Sequence, residues 1–450
     1  MIKFFDNKIS LHIAGRKDIT NTKKPLEFLQ PETVAIPIIN TGSTVFDIHV
    51  EVGDRVKIGT KLATRADHFN IPLLSSVSGQ VIEVIERLHV SSKEVSHIVI
   101  KNDFKDEVEH FFAPREDFEN ITKDETILYM QEYGVLGLGG SGFPSYVKYK
   151  NVKDIETVLL NGIECEPYIT SDESFAKEAT ILLFQGLLLM MKASFAKEGV
   201  IAIKKGKKAL YDTLTSCLKE SFSDKPIRVV QIPDAYPMGW ERVAITTIFG
   251  KSYNMLPSEI GIIVNNSTTA MHLAESIKKG MPMFERIVTM SGEGFANPQN
   301  VKVRIGTNLK DVIDAIGGYK FDATSEKSTL GYRLISGGPM MGRSLSTDMV
   351  SIGPECNSFL CLKTGEIEEE PCLGCGRCIE YCPAGIQPVQ ISRAAELKDF
   401  VALAQLSATS CVSCGTCSYV CPSNINVSLA TTNAKFDLIG YQRSQAQGGA

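Results

Sequence analysis

The sequence predicts a multidomain α/β protein that ends in a small cysteine-rich module. Strand-like apolar runs alternate with helix-length spans between residues 156 and 269, as a parallel α/β sheet requires. Eight of the twelve cysteines stand in two copies of one pattern between residues 372 and 421. The chain has 450 residues, 43% hydrophobic and 22% charged, a composition typical of a globular protein of about three domains.

The first organised block, residues 31–103, is expected to be a small β-barrel or sandwich. Short β-branched runs separated by glycine turns lie at residues 33–39, 45–50, 77–81 and 97–100. The block is similar to the barrel-sandwich domains that carry biotin or lipoate. Such carriers have an attachment lysine at the tip of a hairpin, but residues 65–72 contain none. A structural or docking role is therefore favoured over a swinging arm.

A glycine-rich loop, Gly137-Leu-Gly139-Gly140-Ser-Gly142-Phe143-Pro144, follows a helix-like segment at residues 125–133. Its backbone N–H groups can turn together toward an anion, so a phosphate or diphosphate is the expected guest, and Lys148 follows within reach. Glycines also occur in turns for steric reasons alone. The loop matches neither the Walker pattern nor a Gly-x-Gly-x-x-Gly loop after a strand.

Polar clusters follow several of the predicted strands. The run 156–160 ends in Asn161-Gly-Ile-Glu164-Cys-Glu166-Pro, and further clusters occupy residues 236–242 and 265–269. The other strand candidates and the intervening helix-length span lie at residues 200–204, 227–232, 260–264 and 174–193. Because ligands bind at the carboxyl ends of parallel strands, these clusters and the glycine loop predict one composite pocket.

The two cysteine motifs have the spacing of a two-cluster iron–sulfur module. They read Cys372-x-x-Cys375-x-x-Cys378-x-x-x-Cys382-Pro and Cys411-x-x-Cys414-x-x-Cys417-x-x-x-Cys421-Pro. In such modules the fourth cysteine of each run binds the other cluster. The sequence therefore predicts two [4Fe–4S] clusters, one held by Cys372, Cys375, Cys378 and Cys421 and the other by Cys411, Cys414, Cys417 and Cys382.

Zinc binding and disulfides are the alternatives for these cysteines. Structural zinc sites usually combine two separated pairs, whereas each run here carries four sulfurs without a break. Disulfides need an oxidising compartment, and residues 1–5 do not resemble a secretory signal, which favours a reduced cytoplasmic protein. Cys217 is expected to be a small buried hydrophobe. The roles of Cys356 and Cys361 stay open, because reactivity depends on thiolate character and exposure.

Composition and hydropathy exclude two classes of function. The formal charge is −5 and no basic stripe with interleaved aromatics occurs, which argues against nucleic acid as a partner. The longest apolar stretch, residues 180–191, is shorter than the roughly 20 residues that a membrane span needs. A link to a membrane is therefore expected to pass through a partner.

Taken in order along the chain, these motifs resemble a known family. The glycine loop, Asn-x-x-Glu-x-Glu-Pro, Tyr-x-x-Gly-x-Glu and Val-Asn-Asn are similar to the flavin- and NADH-binding subunit of respiratory complex I. The C subunit of the Rnf complex resembles that fold and adds an N-terminal barrel-sandwich and two C-terminal ferredoxin-type clusters. Residues 287–318 are similar to a β-grasp domain of the SLBB type, and Ser336-Gly-Gly-Pro-Met-Met-Gly342 is similar to a segment of the C subunits.

The resemblance implies a division into four units. These are a barrel-sandwich hybrid domain at residues 1–110, an FMN- and NADH-binding α/β domain at 115–280, an SLBB-like β-grasp domain at 283–345 and an α-helical ferredoxin-type domain with two [4Fe–4S] clusters at 360–435. The segment Asn7-Lys-Ile-Ser-Leu-His-Ile-Ala-Gly15 departs from the family, whose members usually carry Gly-Gly-x-His-Pro there. The loop also has Leu136 and Leu138 where complex I has arginines.

The resemblance also implies roles for individual residues. Phosphate of FMN or NADH would be held by Gly137, Gly139, Gly140, Gly142 and Lys148. The flavin would be bound by Asn161, Asn265, Asn266 and Thr269, with Phe143 packing an aromatic ring. The catalytic pocket, where the nicotinamide stacks on the flavin, would be lined by Glu164, Glu166 and Glu241. Capping of a helix remains the alternative for Glu164 and Glu166, and closure of a strand–helix turn remains the alternative for Asn265 and Asn266.

Three functions are consistent with these features. In the first, the chain is the peripheral subunit of an Rnf-type NAD:ferredoxin oxidoreductase on the cytoplasmic side of the membrane, and passes electrons from NADH through FMN and two clusters to B-, D- and G-type subunits. In the second, it is a soluble relative that serves a dedicated anaerobic reductase such as proline reductase. In the third, it is an iron–sulfur relay whose flavin pocket is only structural.

Overall fold

The structure is a computed structural model that describes residues 11–322, 331–365 and 368–447. Residues 7–10 of the unusual N-terminal segment, and the ends or loops of the predicted units that fall in the gaps, lie outside the described residues. All twelve cysteines fall within the described ranges as free thiols.

Two small antiparallel sheets form the N-terminal barrel-sandwich. One contains β2 (Thr33–Pro37), β8 (Glu94–Asn102), β7 (Gly79–Leu88) and β4 (Arg55–Val56) in that order, and the other contains β3 (Phe46–Ile48), β5 (Lys61–Arg65) and β6 (Pro72–Leu74). Apolar side chains from both sheets, including Ile36, Leu62 and Ile98, close a common core. The expected β domain is therefore present, with strands near the predicted runs.

The central unit is a four-stranded parallel sheet in the order β11 (Ile227–Ile232), β10 (Glu198–Lys204), β9 (Thr157–Asn161), β12 (Ile262–Asn266). Its helices are α1 (Lys123–Glu132), α2 (Ser171–Glu178), α3 (Thr180–Ser194), α4 (Lys208–Ser221), α5 (Glu241–Phe249) and α6 (Ser267–Lys279). Val158 and Leu160 face one hydrophobic cluster, whereas Leu159 faces another. Because both faces are covered, the strands read as continuous apolar runs.

The predicted helical span 174–193 is two helices instead of one. α2 and α3 meet at Ala179 and are bent by 100° with respect to each other. α2 packs against α6 and against the neighbouring β-grasp sheet, whereas α3 packs against α6 and the parallel sheet. The two helices follow different surfaces, and the bend brings the start of α2 to the carboxyl end of β9.

No single helix in the described ranges combines the length and the apolar composition that a membrane span requires. The bent pair of α2 and α3 passes that test when its two helices are taken together, by length and composition alone. In the structure, Leu183, Phe184 and Leu187 of α3 are at most 1% exposed within the domain core.

The third unit is a six-stranded mixed sheet that carries α7 (Leu309–Ala315). Its order is β1 (Leu26–Phe28), β14 (Gln299–Arg304), β13 (Glu285–Ser291), β17 (Ser358–Lys363), β15 (Tyr332–Ser336), β16 (Arg343–Ser344). Two of these strands, β1 and β17, lie outside the segment 283–345. β1 pairs in parallel with β14, so the N-terminal segment completes an edge of a sheet formed late in the chain.

Five helices make up the C-terminal unit: α8 (Arg377–Glu380), α9 (Pro388–Glu396), α10 (Phe400–Gln405), α11 (Thr416–Tyr419) and α12 (Val427–Gln447). The two cysteine motifs fold alike. Gly376 and Gly415 precede the short helices α8 and α11 and both have a left-handed backbone, with φ of 75° and 77°. Each motif is then followed by a longer helix, and Ile391 and Leu438 of these helices share the core.

Candidate functional site

The candidate nucleotide site lies where the order of the parallel sheet reverses. The chain runs outward from β9 through β10 to β11 and then returns to β12 on the other side of β9. Asn161 and Asn266, the last residues of β9 and β12, are register partners and so lie side by side. The crevice at such a reversal is the usual ligand position in open α/β sheets.

The glycine loop borders this crevice. A Cβ atom added to Gly139 would lie 3.3 Å from the side-chain amide of Asn266, so the close approach of the loop to the start of α6 depends on glycine. Gly140 has a φ of +98° and Gly142 a φ of +59°, a backbone region that glycine adopts without strain. Together these contacts hold the loop against the ends of β12 and α6.

Backbone amides of the loop remain available for a ligand. The N–H groups of Gly139, Gly140 and Ser141, which are exposed, make no hydrogen bond to any residue of the described part of the chain. The start of α6 is different, because the Asn266 side chain already accepts from the N–H groups of Thr268 and Thr269. Three unpaired amides beside a helix N-terminus fit an anionic group such as the phosphate of a nucleotide.

Several polar side chains predicted as ligands form hydrogen bonds within the protein. Asn161 donates to the carbonyl of Gly239 at 2.7 Å, and Asn265 donates to the hydroxyl of Tyr149. The hydroxyl of Thr269 accepts from the N–H of Leu138 at 3.0 Å and so ties the glycine loop to α6.

Lys148 is also engaged with the backbone. Its ammonium group donates to the carbonyl of Val264 at 2.7 Å, two residues before Asn266. Burial lowers the pKa of Lys148, and the nearby carboxylate of Glu241 opposes that shift. Glu241 is the first residue of α5 and accepts a hydrogen bond from the hydroxyl of Tyr253 at 2.7 Å.

Phe143 connects the loop to the barrel-sandwich. Its ring packs edge-on against Phe69 with 5.3 Å between centroids, and Phe69 lies on the hairpin at residues 65–72. The side chain of Asn40 donates to the carbonyl of Gly142 at 2.9 Å. The hairpin that carries an attached lysine in carrier proteins therefore serves here as a contact to the glycine loop.

Glu164 belongs to a buried polar chain. It pairs with Lys17 at 3.3 Å, and both side chains are 9% exposed. Its other oxygen accepts from the N–H of Asp172, whose carboxylate in turn accepts from Asn266 at 2.7 Å and from Thr268 at 2.9 Å. Burial raises the pKa of Glu164 to about 7, and Lys17 opposes this shift.

Glu166 points toward the C-terminal unit. Its carboxyl group accepts from the N–H of Met340 at 3.2 Å and lies 3.3 Å from the hydroxyl of Tyr236. The same hydroxyl lies 2.6 Å from the carbonyl of Cys414, which accepts a hydrogen bond from it. Burial raises the pKa of Glu166 to about 7. One tyrosine thus connects the nucleotide crevice with the second cysteine motif.

Four cysteines converge on one cavity beside this contact. The cavity has a volume of about 330 Å³, including the part open to solvent, and is lined by the thiols of Cys382, Cys411, Cys414 and Cys417. We call these residues the inner cysteines. Three come from the second motif and one from the first, which is the set that the sequence pairs. Burial raises the pKa of the Cys414 thiol to about 12, so a buried metal charge is needed to keep it as a thiolate.

The outer cysteines are Cys372, Cys375, Cys378 and Cys421. Cys372 and Cys375 are exposed, and both are close enough to Cys378 to raise its pKa, a shift for which burial is the main cause. The Ser423 hydroxyl donates to the carbonyl of Pro371 at 3.0 Å, which brings the segments of Cys421 and Cys372 together. The outer cysteines therefore gather at the surface of the C-terminal unit.

The donor set fits iron–sulfur clusters. Within the described residues, no three His, Cys, Asp or Glu side chains stand close enough to share a single metal ion. In a cubane each thiolate binds a different iron, so four sulfurs around a cavity suit that group. The chain thus presents all-thiolate sites that match the repeated motifs.

The sequence reasoning missed several residues of the site. Lys17 follows the segment 7–15, which was noted only for lacking a family motif, and Asp172 lies in the first turn of a helix predicted to begin at residue 174. Tyr236 stood in a recognised cluster without an assigned role. Only the tyrosine carried a local signal, because the other two depend on contacts between distant segments.

Four family models match successive parts of the chain. They are described as RnfC Barrel sandwich hybrid domain over residues 6–105, Nuo51 FMN-binding domain over 130–275, SLBB domain over 287–344 and 4Fe-4S dicluster domain over 371–425. The class of protein is therefore a flavin and iron–sulfur electron-transfer protein. The predicted fold class and the predicted cofactors, FMN and two [4Fe–4S] clusters, are confirmed.

Characterised relatives narrow the class. The C subunit of the Na(+)-translocating ferredoxin:NAD(+) oxidoreductase complex of Acetobacterium woodii is 32% identical over 86% of this chain and 87% of its own. The C subunit of the proton-translocating ferredoxin:NAD(+) oxidoreductase complex of Clostridium ljungdahlii is 30% identical over 87% and 84%. The chain belongs to the family of the C subunits of Rnf-type ion-translocating oxidoreductases.

Solved structures show a weaker likeness. A crystal structure of an NAD+-reducing [NiFe]-hydrogenase in the H2-reduced state aligns with 74% of this chain and 64% of its own, at 17% identity and a TM-score of 0.48. That likeness adds no argument to the family assignment.

Proposed function

We propose that this chain oxidises NADH and delivers the electrons, through FMN and two [4Fe–4S] clusters, to other subunits of an Rnf-type ferredoxin:NAD+ oxidoreductase. The printed names of the relatives supply the substrates. One observation of this structure carries the proposal: the cavity of the inner cysteines adjoins the nucleotide crevice through the contacts of Tyr236. Electron donor and first electron carrier would therefore be neighbours.

Different residues of the crevice have different roles in binding. FMN, when bound, accepts two electrons with a hydride and releases them singly. The unpaired amides of residues 139–141 would hold the phosphate. Lys148, which donates to the carbonyl of Val264 in β12, would supply positive charge nearby. Asn161, Asn265, Asn266 and Thr269 fix the crevice walls, and Phe143 supports the loop from the barrel side.

The three acidic residues set the charge around the nicotinamide position. Glu164, Glu166 and Glu241 surround the carboxyl ends of β9 and the start of α5. Carboxylates beside a flavin oppose negative charge on the reduced ring and so lower its tendency to keep electrons. Glu164 and Glu166 each have a pKa of about 7 because of burial, so their charge changes near neutral pH.

Exposure supports one order of electron flow. Cys414 of the inner set is 7% exposed and hydrogen-bonded to Tyr236, whereas Cys372 and Cys375 of the outer set face solvent. We propose that electrons pass from the crevice to the inner cluster, then to the outer cluster, and from there to a partner subunit. The unit at 1–110 would thus serve as a docking module, and the unit at 115–280 would receive the electrons from NADH. The unit at 283–345 would connect it to the unit at 360–435, from which the electrons leave.

The setting in the cell is part of this proposal. B-, D- and G-type subunits of the complex are the proposed partners, and they would hold the chain peripherally at the cytoplasmic side of the membrane. Co-purification with a membrane fraction that contains those subunits is the expected result. Co-purification with a reductase in the supernatant would support the alternative of a dedicated anaerobic reductase system.

Two cysteine variants test the function and the order. In the anaerobic holoprotein, NADH should reduce the flavin, and ferricyanide should accept the electrons. Cys378→Ser is expected to lose the outer cluster and still show NADH-dependent reduction of the inner one by electron paramagnetic resonance. Cys417→Ser is expected to keep NADH oxidation with ferricyanide while its outer cluster stays oxidised.

The outcomes separate the hypotheses. Absence of any NADH-dependent reduction in the intact holoprotein would leave only the structural-relay alternative. Fast reduction of the outer cluster in Cys417→Ser would refute the proposed order without affecting NADH oxidation itself.

A further inference from the structure

The N-terminal strap, defined as residues 11–20, crosses the loops that form the nucleotide crevice. The carbonyl of Leu11 accepts from the N–H of Tyr236 at 2.8 Å, and the carbonyl of Gly15 accepts from the N–H of Tyr168 at 2.7 Å. The strap therefore binds the loops that follow both β9 and β11.

The strap inserts one charged side chain into this region. Lys17 is 8% exposed, and its ammonium group donates to the carbonyl of Ile169 and pairs with Glu164 at 3.3 Å. Lys204 and Lys207 also face Lys17 and lower its pKa, although burial is the larger cause. Glu164 is the acidic group that opposes this shift.

A chain of hydrogen bonds connects the Lys17–Glu164 pair with the glycine loop. Glu164 accepts from the N–H of Asp172, and Asp172 accepts from the side chains of Asn266 and Thr268 at the start of α6. Gly139 packs against Asn266. Two hydrogen bonds thus connect Glu164 with Asn266, the side chain on which the glycine loop packs.

Stability alone gives a poor account of this lysine. A buried ion pair is often no more stabilising than apolar side chains of the same volume, because desolvation of both charges opposes their attraction. An apolar residue at position 17 would fill the same space. The ammonium group does what an apolar side chain cannot do, because it favours the charged form of Glu164.

We propose that Lys17 is a positioning residue of the nucleotide site, which favours the ionised form of Glu164 against its burial and holds the carboxyl group in one orientation when the nucleotide binds. The inference rests on the proposed function for the identity of the nucleotide. On this proposal the N-terminal strap takes part in nucleotide binding.

The first test follows the protonation of Glu164 directly, in protein freed of flavin. The carbonyl band of the protonated acid is measured by infrared difference spectroscopy against Glu164→Gln as pH is varied. The charged groups that face Glu164 are Lys17, Asp172 and Lys207. Removal of a paired cation raises the pKa of a carboxyl group by about one to three units. The midpoint in Lys17→Met should rise by that amount, whereas Lys17→Arg should stay close to wild type.

The second test measures the dissociation constant of FMN by fluorescence in the same variants. Above the midpoint, Lys17→Met leaves an unbalanced carboxylate near an anionic ligand, and FMN should bind about tenfold more weakly. Lys17→Met/Glu164→Gln should recover wild-type affinity, since neither charge remains. Lys192→Met is the matched control, because this ammonium group also binds backbone carbonyls, those of Phe118 and Glu119, away from the crevice.

Each outcome decides the proposal. An unchanged midpoint in Lys17→Met, or a loss of FMN affinity that persists in the double variant, would overturn it and leave a purely structural lysine. If Lys17→Met does not fold, Lys17→Gln replaces it, because glutamine keeps a donor for Ile169 without the charge. Neither test uses NADH, so a failure here is distinct from failure of NADH to reduce the holoprotein.

Discussion

At the residue scale, the polar side chains of the crevice mainly form hydrogen bonds to other groups of the protein. Asn161, Asn265 and Lys148 each donate to a protein oxygen, so their hydrogen-bonding capacity is partly used before any ligand binds. The main-chain amides of residues 139–141, by contrast, have no hydrogen-bond partner among the residues that the structure describes. The sequence assigned these side chains as direct ligands, which stays a prediction, because the type of a side chain does not reveal which partner it faces.

Glu166 gives a pH-dependent prediction. Burial raises its pKa from 4.5 to about 7, so the folded chain binds this proton more tightly than the unfolded chain. Its stabilising contribution is complete below about pH 4.5 and is lost as pH rises through about 7. Relative to Glu166→Gln, wild type should therefore lose thermal stability between about pH 4.5 and about pH 7, and little more above that range.

The measurement is the midpoint of thermal unfolding of the two proteins at each pH, followed by circular dichroism. Glu220→Gln serves as a control at a carboxyl group without hydrogen-bonding partners in the crevice. A difference in midpoint that does not change with pH would contradict the inferred environment of Glu166.

At the scale of elements, local patterns predicted what local sequence determines. β11 coincides with its predicted run, and β9, β10 and β12 lie within two residues of theirs. The break between α2 and α3 was missed, since the span is apolar throughout and the bend arises from packing on different surfaces. β1 was missed because a three-residue strand has no detectable period and its partner is remote in sequence.

The contact between α3 and α6 supports a stability prediction. A Cβ atom on Gly186 would overlap the main chain of Ala270, so the two helices must separate to accept Gly186→Ala. Overpacking of this kind costs about 1–3 kcal/mol. Gly440 in α12 is the matched control, because a Cβ there meets nothing within 4 Å. Gly440→Ala should stabilise its helix by about 0.5–1 kcal/mol.

Chemical denaturation of the two variants beside wild type measures both effects. Opposite signs are expected for the change in the free energy of unfolding. Equal small effects at both positions would mean that α3 and α6 are packed less closely than described.

At the scale of the whole molecule, the cysteine spacing predicted the cofactors, and the order of motifs predicted the sequence of units. What the spacing did not contain is how the C-terminal unit docks. The N–H of Met340 donates to Glu166, and the hydroxyl of Tyr236, 3.3 Å from Glu166, donates to the carbonyl of Cys414, so three units come together here. Such a meeting point is a property of tertiary structure.

Unequal burial of the two cysteine sets predicts stepwise loss of iron. The exposed thiols of Cys372 and Cys375 should yield to an oxidant and chelator before the buried Cys414. About four of about eight irons should leave in a fast phase while NADH oxidation with ferricyanide persists. Iron release measured by a chromogenic chelator, in parallel with activity, tests this. A single phase that removes all iron together with activity would contradict it.

The pairing of β1 with β14 also governs how the chain reaches this structure during synthesis. Leu26 can pair with Val301 only after Val301 has left the ribosome, roughly 275 residues later. At about 5–20 residues per second, that interval is on the order of 15–60 s. During this interval the segment around Leu26 has no β14 edge to pair with, so it is exposed to chaperones and proteases.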